Sequence, residues 1–220
     1  MCYFEEMERR KIGFVTGLQA EARLLRNKGF LVAAGGGHPE GAYQAAEGLL
    51  AQGAEALVSF GLAGGLARHI KAGDLLVPPA VIEGPRTYPC DYRLMEFLGG
   101  STGKPMLANH KIVATVREKA MLFGRTLADA VDLESGAVSR LAAERGVPFA
   151  VLRAVADPAA RNLPPAAVHG LRPDGSINLP RILLSVLMAP TQIAGLMRVG
   201  RDAQRARSAL IKRLRALGGK

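Results

Sequence analysis

Short apolar runs alternate with longer segments of helical spacing along most of the chain. Lys11–Gly17 (KIGFVTG) is an apolar run closed by a glycine, the pattern of a buried strand. Leu18–Lys28 follows with helical spacing, and Phe30–Ala34 is a second apolar run ahead of Gly35, Gly36 and Gly37. Glu40–Gln52 is an alanine-rich helical segment, and Ala56–Phe60 (ALVSF) reads as a strand ending at Gly61. Asp74–Ile82 is rich in β-formers but carries Pro78 and Pro79, which suit an edge, a bulge or a bend. Lys111–Thr115 and Ala130–Leu133 are further short apolar runs. Glu134–Arg145 predicts a helix with Gly146 as its C′ residue, and Phe149–Val155 (FAVLRAV) is the last clear strand.

This alternation predicts an α/β layer architecture around a largely parallel sheet. Sites in such sheets form at the C-terminal ends of strands. That rule singles out Gly17–Glu21, Gly61–Gly65, Asp132–Glu134 and Arg153–Asp157. Residues 84–106 and 158–180 are rich in Gly, Pro and polar residues and are expected to be loops that wall the site.

The 220 residues suffice for one domain with its own core, and a single domain over 1–220 is expected. With 49% apolar and 22% charged residues the chain is not of the disordered class. No uncharged apolar run approaches the roughly 18 residues of a spanning helix. Two cysteines, Cys2 and Cys90, are too few for a disulfide framework or a structural zinc site. The mixed, acidic opening lacks the pattern of a secretory signal, so a reducing cytoplasm is the expected compartment. His38, His69, His110 and His169 show no metal-ligand spacing, and no catalytic metal is expected.

Charge changes the picture at one end. Nine of the 29 basic residues but only one acid, Asp202, fall between Arg181 and Lys220, so the body is close to neutral and the tail basic. From Thr191 to Leu217, Ile193, Leu196, Met197, Gly200, Ala203, Leu210, Leu214 and Leu217 recur at close to helical spacing. Arg198, Arg201, Arg205, Lys212 and Arg215 fall largely off that line. The pattern predicts an amphipathic basic helix within 180–220, with its apolar side on the protein's own core or at a membrane boundary. Pro180 and Pro190 bracket ILLSVLMA, which is too short to span a bilayer.

The strand ends carry the candidate chemistry. Asp157 closes an apolar strand, where it either caps a helix or serves as a general acid whose pKa partial burial raises. Arg153 shares its strand face by period two, and either pairs with a core-facing acid or belongs to the site. Glu134 can accept hydrogen bonds from sugar hydroxyls, with Asp132 on the same side or at the surface. Glu21 sits in the first helical turns after the first strand, a surface residue or a functional one. Gly61, Gly64 and Gly65, interleaved with Leu62 and Ala63, predict a turn that a ligand can approach closely. Neither GxGxxG nor GxxxxGK[ST] occurs here, so neither a dinucleotide fold nor a P-loop is expected.

Four segments in order resemble motifs of the purine nucleoside phosphorylase and methylthioadenosine/S-adenosylhomocysteine nucleosidase superfamily. They are Ile12–Ala22 (IGFVTGLQAEA), Phe60–Leu66 followed by Gly73-Asp74-Leu75-Leu76-Val77, Val131–Gly136 (VDLESG) and Val151–Asp157. Leu141–Ala159, the LPPAA that follows and the basic C-terminal helix resemble, more narrowly, the hopanoid-associated phosphorylase subfamily. The resemblance implies a nucleoside-phosphorylase-like three-layer α/β fold, with a central mixed, largely parallel sheet flanked by helices. It implies release of adenine from an adenosyl hopanoid, adenosylhopane, in bacterial hopanoid biosynthesis. Asp157 then matches the general acid at purine N7. Glu134 matches the residue that holds the ribose hydroxyls, with Leu133, Asp132, Gly61, Ala63 and Gly64 around the substrate. Glu21 matches the glutamate that positions or activates water, and Arg153 the arginine near it. Phosphate is the alternative nucleophile, with the glycine turns, Arg153 and Arg86 as its candidate ligands. No other cofactor, no metal and no nucleic acid are implied. A homo-oligomer, with a dimer favoured, is expected, and the tail pattern together with the implied substrate adds peripheral contact with an anionic membrane at the inner face.

Three positions depart from the family pattern. Ala156 stands where many nucleosidases have serine, Leu133 replaces the usual methionine, and Leu62 occupies a small polar position. The enzyme alternatives are a soluble methylthioadenosine/S-adenosylhomocysteine-type nucleosidase and a purine nucleoside phosphorylase. Outside enzymes, the alternative is a nucleoside-binding module tethered to membrane by its tail.

Overall fold

The computed structural model describes residues 9–169 and 192–218. The segment bracketed by Pro180 and Pro190, and the later part of 158–180, lie outside the described residues. Nine strands form one mixed sheet: β1 (Ile12–Thr16), β2 (Leu31–Ala34), β3 (Ala56–Gly65), β4 (Leu75–Leu76), β5 (Ala80–Glu83), β6 (Arg86–Pro89), β7 (Met106–Ala108), β8 (Ala130–Asp132) and β9 (Phe149–Asp157). The helices are α1 (Gln19–Leu25), α2 (Pro39–Ala51), α3 (Tyr92–Leu98), α4 (Val116–Thr126), α5 (Ser135–Arg145), α6 (Pro165–His169) and α7 (Ile193–Gly218).

β3 organises the sheet. One edge pairs in parallel with β1, and the other in parallel with β9 over Leu57–Gly64. Its last two residues, Gly64 and Gly65, turn to an antiparallel pairing with β8. The parallel pairs β1–β2, β5–β7 and β7–β8 extend the sheet, while β4–β9 and β5–β6 are antiparallel. The central strands are continuous apolar runs because helices cover both faces. α2 buries Ala42, Ala46 and Leu49 at helical spacing and packs on β1, β2 and α5. α7 packs on β9, β3 and β4. Phe14 on β1 meets Phe30, just before β2, at 4.6 Å and Phe60 on β3 at 5.9 Å between ring centroids, which ties these segments into one core. The three-layer α/β fold with a largely parallel central sheet is as expected.

Local signals explain the elements. His38 Nδ1 accepts from Gly41 N–H and Pro39 opens α2. Gly146 ends α5 in the left-handed region. Thr115 and Glu118 form a reciprocal capping box at the start of α4, each side chain accepting the other's backbone N–H.

Four expectations need correction. Gly61–Gly65 is part of β3 rather than a turn after it, because pairing with β9 and then β8 holds those glycines extended. Lys111–Thr115 is a loop leading to the Thr115 cap, and the neighbouring strand is β7. Residues 84–106 hold β6, α3 and the start of β7, with Asp91 Oδ1 accepting from Leu94 N–H to start α3. The tail is a helix as expected, but its packed line is Asp202, Ala206, Leu210 and Leu214, while Ile193 and Met197 are 47% and 62% exposed. Among the described residues no helix is long and apolar enough to cross a membrane.

Candidate active site

The C-terminal ends of β1, β3, β8 and β9 enclose a cavity of about 220 Å³. Glu21, Ala63, Gly64, Asp132, Leu133, Glu134, Arg153 and Asp157 all line it, although they span much of the chain. Gly61 is absent from the lining, but it crowds Glu21. Its φ of +150° lies in a region that side chains rarely adopt, and a Cβ there would come within 2.5–2.7 Å of the Glu21 carboxylate. Gly17 has the same role towards Glu134, whose Oε1 a Cβ at 17 would strike.

Glu21 is anchored by backbone donors from two segments. Its Oε2 accepts from Leu18 N–H at 2.8 Å and its Oε1 from Leu62 N–H at 2.9 Å. Burial raises its pKa, against the pull of the Arg153 charge and these N–H groups. The acid therefore sits at the cleft with more basicity, once ionised, than a surface glutamate.

Arg153 lies on β9 and is almost wholly buried. One of its terminal nitrogens contacts Asp132 Oδ2 at 2.7 Å, Glu134 Oε2 at 2.9 Å and Ser59 Oγ at 2.7 Å. The other donates to Leu62 O at 3.3 Å. Burial works against its charge, but the carboxylates of Asp132, Glu134 and Glu21 outweigh it and raise its pKa. Both readings of Arg153 thus hold: it is ion-paired with core-facing acids and it borders the cleft. Asp132 also accepts from Ser135 N–H at 3.2 Å and from the Ser135 hydroxyl, so it starts α5 while it holds the guanidinium. Burial and the neighbouring carboxylates push Glu134 up to about 7, in spite of Arg153.

Asp157 stands at the other end of the same cleft. Period two does not run unbroken to it from Arg153, because the register with β3 shifts between Ala63 and Gly64. Ala156 and Asp157 nevertheless both line the cavity. Asp157 caps no helix. Its Oδ2 meets Lys119 Nζ at 2.6 Å. Burial raises the Asp157 pKa, and Lys119 opposes the rise.

Sequence reasoning missed Lys119, and it missed the apolar walls Leu18, Ile112, Val113 and Leu163. The Thr115–Glu118 capping box marks a helix start, but nothing in the sequence turns its next residue inward. Arg86 stays apart from the site, exposed on β6. Among the described residues the cavity wall carries two cations, Arg153 and the exposed Lys111.

Comparisons with known proteins agree with this architecture. The chain matches the phosphorylase superfamily over residues 14–120 and 101–187, and it belongs to that superfamily. Among curated proteins none matches it significantly. Similar solved structures include the S-adenosylhomocysteine nucleosidase of Streptococcus pyogenes in complex with 5-methylthiotubericidin. It is 16% identical, with 95% of this chain and 98% of that chain covered and a TM-score of 0.66. The 5′-methylthioadenosine/S-adenosylhomocysteine nucleosidase of Helicobacter pylori is 15% identical over 96% and 99% of the two chains, with a TM-score of 0.66. The futalosine hydrolase of Helicobacter pylori is 17% identical over 94% and 97%, with a TM-score of 0.65. At these identities the likeness is one of fold. Superfamily membership and the acid-lined cleft together make the protein an enzyme that breaks a glycosidic bond.

Proposed function

We propose that the protein is a nucleosidase that hydrolyses the N-glycosidic bond of an adenine nucleoside and releases the free base. The observation that carries this reading is the division of the cleft. Glu21, Glu134 and Asp132 gather around Arg153 at one end, and Asp157 stands at the other. Cleavage of the C–N bond puts negative charge on the base and positive charge on the sugar. Asp157, whose pKa burial raises, gives its proton to N7 and improves the leaving group. Glu134 accepts hydrogen bonds from the ribose hydroxyls. The acid-rich end favours the developing cation on the sugar. Glu21 orients a water and takes its proton as the oxygen bonds to the anomeric carbon.

The charge balance supports water over phosphate. A phosphate dianion needs several donors or cations beside it. Arg153 already lies within 2.9 Å of two carboxylates, and Glu21 adds a third acid near it. The similar structures named above as nucleosidases and as a hydrolase point the same way. The test supplies purified protein, in phosphate-free buffer, with adenosine, 5′-methylthioadenosine and S-adenosylhomocysteine and measures free adenine. Release is expected from at least one of them, with a loss of roughly 10²–10⁴-fold in Asp157→Asn. No release from any of the three, with or without phosphate, would overturn the reading.

One observation favours a narrower substrate, an adenosyl hopanoid. Ile193 and Met197 stand exposed beside Arg198 and Arg201 on α7. Gly195, Arg198 and Val199 of that helix border a groove that reaches Asp157. In this reading α7 brings the protein to a membrane face, where its cations meet anionic headgroups and from which a sugar-linked hydrocarbon is drawn. A homodimer acting peripherally at a membrane face belongs to the same reading. Co-sedimentation with anionic but not neutral vesicles, lost at high salt, is the expected result. Equal, negligible binding to both would rule it out.

A further inference from the structure

Lys119, the buried cation beside Asp157, is assigned by no reading of the sequence. It follows the capping box that starts α4, and its side chain is completely buried. An ammonium there loses its hydration, and such burial is tolerated only with partners for its three N–H donors. Lys119 has three acceptors: Asp157 Oδ2 at 2.6 Å, Pro158 O at 3.1 Å and Arg161 O at 2.9 Å. All three belong to the stretch that ends β9 and leaves it. The lysine is therefore built around the acid and the turn that follows it. A second contact fixes the same turn to α4, where Val116 N–H donates to Asn162 Oδ1 at 2.7 Å.

The acid has no other support of this kind. The residue before it is Ala156, with no hydroxyl to orient a carboxylate. Among the described residues its second oxygen, Oδ1, has no hydrogen-bond partner. Asp157 lines the cleft, and Lys119 holds it from the buried side.

We propose that Lys119 is a positioning residue for the proton donor: it fixes one oxygen of Asp157, leaves the other for the purine, and receives the charge of the carboxylate. This rests on the reading of Asp157 as general acid. The step balances as follows. The Asp157 O–H bond breaks and the N7–H bond forms, while the electron pair of the C–N bond passes into the leaving adenine. The carboxylate left behind is already paired with an ammonium, so no solvent must reorganise around it. Water supplies the new C–O bond, and its proton goes to Glu21.

The charged groups facing Asp157 are Lys119 from α4, Arg161 from the turn after β9 and Asp202 from α7. Burial raises Asp157, and Lys119 is the largest influence against that rise. Without Lys119 the acid keeps its proton to higher pH, so the alkaline limb of kcat/KM moves up.

The experiment measures pH profiles of kcat and kcat/KM with 5′-methylthioadenosine as the probe. It covers wild type, Lys119→Met, Lys119→Arg, Asp157→Asn and the Lys119→Met/Asp157→Asn pair, each checked for folding by circular dichroism. Lys119→Met is expected to lower plateau kcat roughly 10–10²-fold with little change in KM. Its alkaline limb is expected to rise by about 1–3 pH units, the scale of a lost opposite charge. Lys119→Arg keeps the limb in place, and Lys119→Met costs little more in the Asp157→Asn background. Ala156→Ser added to Lys119→Met restores part of kcat. If Lys119→Met fails to fold, Lys119→Gln, which still donates to the two carbonyls, carries the same expectation for the limb. An unmoved limb, or losses that simply add in the double variant, would overturn the proposal. Full turnover in Asp157→Asn would instead remove the general acid itself, and the proposal with it.

Discussion

At one end of the cleft one guanidinium faces three carboxyl groups, and at the other one ammonium serves one carboxyl group. Both cations are buried, and both are held by a rigid element, Arg153 by β9 and Lys119 by α4. The stoichiometry differs, and with it the chemistry. Three carboxyl groups face Arg153, so that end is rich in acids and, in the proposed reaction, suits a sugar that turns cationic. The Lys119–Asp157 pair sets one cation against one carboxyl group and, in the proposed reaction, suits a proton that leaves and returns. Burial raises the pKa of Glu21, Glu134 and Asp157 alike. In the proposed reaction the acid and the base face different cations, Lys119 and Arg153.

Removing Arg153 breaks the comparison outright. Arg153→Met leaves three acids buried without a cation, a loss of about 3–5 kcal/mol. A urea unfolding midpoint well below wild type is expected at pH 7, with partial recovery at acid pH as the carboxylates protonate. A midpoint equal to wild type would show that the acids do not depend on the guanidinium. Glu21→Gln tests one end while sparing the other. Its single amide oxygen accepts from only one of the Leu18 and Leu62 N–H groups and cannot take a proton. Hydrolysis is expected to fall roughly 10²–10⁴-fold with KM almost unchanged. A rise in KM alone would make Glu21 a binding residue.

Much of this site was legible in the sequence, because strand ends in an α/β sheet converge on one side. Asp157, Glu134, Glu21 and Arg153 were singled out on that ground, and they line one cavity. Lys119 was not legible. A lysine in an amphipathic helix points to water by default, and only the turn after β9 reveals why this one points inward. Residues 84–106 misled for a related reason. Their Gly and Pro content suggested loop, but Asp91 starts α3 and Gly99, in the left-handed region, stops it. The glycines of β3 suggested a turn because a sequence does not show which strand will pair beside them. In the tail the spacing was right and the buried line was offset. Asp202 turns inward to Arg161 at 2.5 Å, so the only acid of the basic segment anchors it.

The smallest effect expected is on the pH dependence of stability. Glu134 holds its proton more tightly in the folded chain, at about 7 against 4.5 unperturbed. The folded state thus binds more protons than the unfolded one across that window. Its share of stability is complete below about 4.5 and is lost as pH rises through about 7. Glu134→Gln has nothing to titrate, so its unfolding midpoint should fall less than that of wild type between about pH 5 and pH 8. A steeper fall in the variant would reverse the sign assigned to Glu134.

The nucleophile is the point on which the two ends must act together. Turnover of 5′-methylthioadenosine in oxygen-18 water, followed by mass spectrometry of the sugar, reads it directly. One labelled oxygen at the anomeric carbon for each adenine released, without any phosphate present, is the expected result. An unlabelled sugar 1-phosphate formed only when phosphate is added would contradict it.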